Sequence, residues 1–239
     1  MSITVYWSPW IDPKNYAKQF LSYNEPIKVL DDLKKSKNSE NKVDNFFNCP
    51  AFVNSVKNTY MFTSPTDADV EFHEGKVYTN FKDRYYDPNT TVFKYPSLDG
   101  ANTLRYYANY IFFCEEELFI HSTPPYLHNA EVTKHGYYVP GTFDISSWFR
   151  PLEYAFQQWP GVNTFKTTQD DPLLYVNFLT DQPIKLQKFY MTEALNEASI
   201  SCIRLKNYRR EKNLFKLYEI FKASNLRTRL LKEIKNNLL

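Results

Sequence analysis

Residues 106–159 read YYANYIFFCEEELFIHSTPPYLHNAEVTKHGYYVPGTFDISSWFRPLEYAFQQW, and this stretch decides the fold. Its aromatics come in pairs, Tyr106-Tyr107, Phe112-Phe113 and Tyr137-Tyr138. Thr123-Pro124-Pro125, His135-Gly136 and Pro140-Gly141 separate them. Paired aromatics favour a pleated, half-buried surface. Pro and Gly supply the turns between such segments. The pattern predicts a mainly β chain: an antiparallel β-sandwich or jelly-roll body.

Further strand signals lie on both sides. Residues 70–72 and 76–79 flank His73-Glu74-Gly75, the signature of a hairpin. Residues 52–60 and 61–64 read as strand material. Residues 118–122, 137–139, 152–159 and 184–189 follow, and 173–179 is the strongest buried-strand run. Strands at such intervals, separated by turns, fit a sandwich. Residues 3–7 alternate weakly and suggest an edge strand that stops at Pro9. Residues 15–24 have helical spacing, 31–44 read as a solvated linker, and 83–91 are polar and turn-rich. Pro140-Gly141 predicts a type II turn. Asp144 is placed to cap the turn that carries Trp148.

At Met191 the period changes. Thr192 before Glu193 is an N-cap signal for a helix over 193–206. Leu214, Leu217, Tyr218 and Phe221 form one apolar stripe, and Leu226, Leu230, Ile234 and Leu238 a second. Ser224-Asn225 divides them. The expected organisation is an N-terminal arm and polar linker (1–45), a β-sandwich domain (46–191) and a basic amphipathic helical tail (192–239).

The chain has 239 residues, with 19 Tyr and 19 Phe against five Gly, so its core must be built from rings. A formal charge of +2 does not by itself imply nucleic-acid binding, but the charge is unevenly spread. Residues 201–239 hold eleven Lys and Arg against three Glu, a balance of +8, which leaves −6 on the rest. Three well-separated cysteines, Cys49, Cys114 and Cys202, make no disulfide framework and suit a reducing compartment. They read as small buried side chains. No stretch reaches the roughly 20 apolar residues of a membrane span. The N-terminus shows no secretory signal.

Candidate chemistry is sparse. The scattered glycines form no phosphate-cradling loop, and no nucleophile elbow is present. Of the four histidines (His73, His121, His128 and His135), none stands in a His-x-Asp motif. His121, His128 and Glu131 are the best-placed ligands for iron or zinc in a cupin-like, metal-dependent enzyme of the oxygenase type. Otherwise no cofactor is expected. Glu71, Asp144 and Glu153 lie among aromatics suited to stacking sugars. Tyr126, Trp148 and Arg150 could line a ligand pocket, with Arg150 able to stack on a ring or pair with a carboxylate. Cys202 precedes Arg204 and Lys206, which would lower a thiol pKa unless the side chain packs. Arg204, Lys206, Arg209 and Arg210 are candidates for phosphate or partner contacts, or for docking onto the acidic body. Leu226, Leu230 and Ile234 are candidates for a partner or self-association interface.

Four motifs carry a resemblance: Cys49-Pro50-Ala51-Phe52, Thr123-Pro124-Pro125-Tyr126, Pro140-Gly141-Thr142-Phe143-Asp144-Ile145 and Trp148-Phe149-Arg150-Pro151. Over residues 48–202 the chain resembles an uncharacterised protein family of tailed phages, notably T4-like viruses of marine cyanobacteria. It is more distantly similar to a bacterial domain of unknown function. The resemblance implies a viral protein made inside a bacterial host, located in the host cytoplasm or the virion. It brings no activity with it. The expected function is non-enzymatic binding or virion assembly through protein contacts. A metal-dependent enzyme is the alternative, and nucleic-acid binding through the tail a further one.

Overall fold

The computed structural model describes residues 2–10, 23–36, 46–73, 76–79, 92–95, 103–208 and 213–239. The N-terminal part contains β1 (Ile3–Pro9), β2 (Ile27–Lys28), α1 (Val29–Ser36), α2 (Pro50–Val56) and β3 (Thr59–Thr63). Next come β4 (Ala68–His73), β5 (Lys76–Thr79), β6 (Val92–Tyr95), β7 (Thr103–Cys114) and β8 (Phe119–Thr123). A short helix α3 (Glu131–His135) leads into β9 (Gly136–Tyr138), β10 (Gly141–Asp144), β11 (Pro151–Gln158), β12 (Thr164–Thr167), β13 (Pro172–Phe178) and β14 (Ile184–Lys188). Helices α4 (Glu193–Tyr208), α5 (Leu214–Ala223) and α6 (Asn225–Asn236) close the chain.

The fold is mainly β with C-terminal helices, as the ring pairs and turns predict. One sheet has the order β14-β1-β7-β11-β9, with β6 also on β7. A second runs β10-β8-β13-β3-β2, and a small third runs β12-β4-β5. Among the described residues every strand pairing is antiparallel except β1 with β14. The first two sheets meet through rings. Phe62 of β3 lies 4.6 Å from Tyr110 and 5.3 Å from Phe112 of β7, centroid to centroid, and Phe112 lies 6.0 Å from Phe178 of β13. Successive residues of a strand point to opposite faces. Phe113 therefore points away from this interface and meets Phe149 at 5.5 Å and Phe221 of α5 at 6.1 Å. The helices thus cover the outer face of the first sheet at Phe113, and residues 110–114 of β7 are buried from both sides.

The tail forms the helices its stripes predict. The Thr192 hydroxyl accepts from the Leu195 amide at 3.3 Å and caps α4. The chain breaks between α5 and α6 at Ser224. The hairpin β4–β5 also forms where expected.

Other expectations need correction. The first strand is not at an edge. It lies between β14 and β7, with Val5 fully buried and Trp7 nearly so. Residues 31–36 are helical rather than linker. Asp31 and Asp32 in the first turn and Lys34 and Lys35 in the last complement the helix dipole, while Val29 and Leu33 share an apolar face. Residues 50–56 are helical rather than strand, because Pro50 at the first helical position is preset for that backbone. Gly141 does not take the positive φ that a type II turn requires of its third residue, so no such turn forms there. The chain there passes from β9 in one sheet to β10 in the other. Residues 15–22, 37–44 and 83–91, together with Gly75, lie outside the described residues. Val5, Phe113 and Ile234, one from each of the three expected segments, belong to one hydrophobic core. The segments differ in secondary structure while sharing that core.

Phe113 is fully buried between the sheet and α5, so its truncation removes contacts on two layers. Phe113→Ala is expected to lower unfolding stability by about 3–5 kcal/mol, read as a fall in the urea midpoint at unchanged slope.

Candidate functional site

Strand β9 is three residues long and forms one end of the first sheet. Gly136 begins it, and no larger residue fits there. A Cβ at this position would lie 2.1 Å from the Gln157 carbonyl oxygen and 2.7 Å from the Phe156 ring. The close approach pins β9 against β11. Alternation then buries Tyr138 and turns Tyr137 outward. Tyr137 is 36% exposed, Val139 41% and Trp159 42%. The Tyr137 and Trp159 rings lie 5.1 Å apart at 42°. Trp159 is held in place: its indole N–H donates to the Thr133 carbonyl at 3.0 Å, and its amide to the His135 carbonyl at 3.1 Å. Lys134 and Glu131 of α3 form an ion pair at 2.5 Å nearby in sequence. The hydrogen bond from Lys134 is the main reason the Glu131 carboxyl lies below its ordinary pKa. This edge combines a fixed aromatic ledge with a charged border, the composition of a contact surface.

The outer face of the second sheet carries a polar network. His128 reaches the Tyr175 hydroxyl through Nδ1 and Asp32 Oδ2 through Nε2, the latter at 3.0 Å. Tyr175 is fully buried, and burial raises its pKa. The trio superficially matches a carboxylate–histidine–hydroxyl relay. The hydroxyl, however, is enclosed by His128 and the Leu127 backbone, so the network ties α1 and the loop after β8 to β13.

The expected metal ligands have separate partners. His121 Nδ1 lies 3.1 Å from the Thr142 hydroxyl, His128 bonds Tyr175 and Asp32, and Glu131 pairs with Lys134. Among the described residues, no group of three or more His, Cys, Asp and Glu side chains is arranged to hold a metal ion.

Of the expected pocket residues, Trp148 and Arg150 meet at Tyr218 of α5, while Tyr126 lies apart from them on Tyr175. Tyr126 is 58% exposed and packs edge-on against Tyr175 at 5.3 Å. Trp148 is buried between Tyr218 and Phe221 of α5, at 5.5 and 5.8 Å. Arg150 lies 3.5 Å from Glu153 and also hydrogen-bonds Tyr218.

Asp144 caps its turn as its sequence position suggests. It accepts the Ser146 amide at 2.9 Å, the Ser146 hydroxyl at 2.7 Å and the Ser147 hydroxyl. Lys222 of α5 lies 3.2 Å away. Burial pushes this carboxyl up, but the serine hydrogen bonds and Lys222 outweigh it and hold it below the ordinary value.

The basic tail docks on the acidic body. Lys222 also approaches Glu117 at 3.6 Å, Lys235 meets Glu115 at 2.6 Å, and Arg227 donates to the carbonyls of Ser146 (3.2 Å) and Glu115. Leu230 and Ile234 are consequently buried in the protein's own core, which corrects their assignment to a partner interface; Leu226 is 37% exposed. Arg204 is exposed on α4, Lys206 belongs to the same helix, and Arg209 and Arg210 lie outside the described residues. Burial pushes the Cys202 thiol up to about 11 and the Cys114 thiol up to about 12, so neither is an activated nucleophile. Cys49 is exposed, unlike the other two.

Asp32, Tyr175, Tyr137 and Trp159 were not singled out by sequence reasoning. Tyr137 and Trp159 stand in segments recognised as strands, but no local signal tells which rings remain outside. No protein-family model, curated protein or solved structure matches the chain. Among the described residues no helix is long and apolar enough to cross a membrane.

The folded-state pKa of Asp144 is depressed, so its contribution is present above the unfolded carboxyl pKa and is lost as pH falls through the folded one. Asp144→Asn is expected to lower stability by about 1–3 kcal/mol at neutral pH. Below about pH 4 the gap to the unsubstituted protein should shrink, as measured by thermal unfolding across pH.

Proposed function

We propose that the chain is a phage-encoded, non-enzymatic binding protein that acts through protein contacts, in the infected bacterial cell or within the virion. The sequence motifs shared with the phage family support the origin. The observation that carries the binding role is the ledge of Tyr137, Val139 and Trp159 at the end of the first sheet. Aromatic side chains bury large areas at low conformational cost, and an indole already fixed by a hydrogen bond loses little freedom on association. Rigid rings of this kind recur as the anchors of protein interfaces.

The occupant this reading favours is a second copy of the chain. An edge strand pairs antiparallel with its own copy about a two-fold axis, which places each ledge against its counterpart. The border of Lys134 and Glu131 contributes one charge of each sign, so it can meet itself without net repulsion.

Sedimentation equilibrium is the test. The protein is expected to form a dimer, and the Tyr137→Ser/Trp159→Ser double variant a folded monomer with an unchanged far-UV spectrum. A wild-type protein that stays monomeric at the highest soluble concentration would overturn the reading, as would a variant that dimerises equally well.

A further inference from the structure

A cleft of about 420 Å³ runs along α6 beside the turn between β7 and β8, lined by Glu115, Arg227, Thr228, Leu231, Lys232, Lys235 and Asn236. Its residues fall in two rows of helical spacing. Arg227, Leu231 and Lys235 form the inner row, and Thr228, Lys232 and Asn236 the outer one. The inner row is committed to the body. Lys235 meets the Glu115 carboxylate at 2.6 Å, and Leu231 packs in the core. Arg227 donates to two backbone carbonyls, through Nε and one terminal nitrogen, which anchors the guanidinium without pairing its charge with a carboxylate.

The outer row is uncommitted. Thr228, Lys232 and Asn236 are all exposed. None of their side chains has a hydrogen bond or ion pair among the described residues. Their spacing sets donors about 6 Å apart along the helix. Arg227, Lys232 and Lys235 against the one Glu115 carboxylate give the cleft two net positive charges. A field of this sign beside unspent donors favours an anion rich in acceptor oxygens.

We propose that this cleft is a binding site for a phosphate monoester carried on a small molecule. A phosphate monoester carries about −1.5 to −2 at neutral pH and three acceptor oxygens, which match the charge and donors of the cleft. Lys232 is the primary phosphate ligand, with the Thr228 hydroxyl one helical turn away as the second donor. The phosphate sits toward this outer row, away from Glu115. The hollow is open to solvent on its outer side, so the attached organic group would lie against the helix surface and partly in water. Leu231 supplies an apolar floor for that group. A nucleic-acid strand suits the cleft less well, because it presents a continuous series of single charges and here would face the Glu115 carboxylate. The site is separate from the ledge at β9 and does not depend on the binding role proposed above.

Titration calorimetry with adenosine 5′-monophosphate tests the assignment on the full chain. Saturable one-site binding is expected, with adenosine itself failing to bind. Lys232→Glu should weaken the affinity about tenfold or more, the loss expected on removing one charge-assisted hydrogen bond. Lys232 is exposed and unpartnered, so the variant should keep its thermal midpoint; Lys232→Gln, which removes the charge without reversing it, should weaken binding less. Competition by inorganic phosphate would support a site that reads the phosphate group. The proposal fails if the monophosphate shows no saturable binding at millimolar concentration, or if Lys232→Glu binds it unchanged. A fifteen-residue thymidine oligonucleotide that binds more tightly, with affinity falling steeply as salt rises, would overturn the small-molecule assignment in favour of nucleic acid.

Discussion

The whole arrangement depends on residues 110–114 of β7 being buried from both sides. Tyr110 and Phe112 meet the second sheet through Phe62 and Phe178, while Ile111 and Phe113 face the helices. A strand with apolar side chains on both faces needs two covering layers. One is the opposing sheet. The other is the C-terminal helical segment, which is therefore part of the structural core. The ion pairs of Lys222 and Lys235 and the hydrogen bonds of Arg227 to backbone carbonyls lie around this apolar seam and set how α5 and α6 sit on it.

That constraint explains the fate of the polar groups. Partly exposed ion pairs such as Lys235–Glu115 add little stability individually, but they restrict orientation. The enclosed groups are bound more tightly: Asp144 is satisfied by two serines and a lysine, and the Tyr175 hydroxyl by His128. Side chains that look reactive in the sequence thus act as structural ties between layers. The ledge of Tyr137 and Trp159, by contrast, has both rings solvent-facing and its indole held by a hydrogen bond.

Much of the architecture was legible in the sequence. The ring pairs at 106–113 fall inside β7, and the turn at Pro124-Pro125 and the change of period at Met191 mark real boundaries. The charge split between tail and body anticipated the docking of α5 and α6. Other features depend on distant partners and leave no local trace. Ile3–Pro9 reads as a weak strand because only half its residues are strongly apolar, yet β14 and β7 bury it from either side. Asp32 and Tyr175 come together with His128 across separations of 96 and 47 residues, beyond the reach of any spacing rule. The stripe of Leu230 and Ile234 was visible, but its address was not: an apolar stripe looks the same whether it meets its own core or another chain.

The parallel pairing of β1 with β14 has a consequence for how the protein is made. Ile3 lies opposite Ile184 and Trp7 opposite Lys188, so β1 waits for a partner made about 180 residues after it. Leu239 donates its backbone amide to the Lys188 carbonyl, which ties the segment after α6 to β14. Contacts of such range must overcome a large loop-closure entropy and slow folding. During synthesis the side of β1 that receives β14 stays open until residues 184–188 have emerged, and this nascent interval is when chaperones have the most hydrophobic surface to hold.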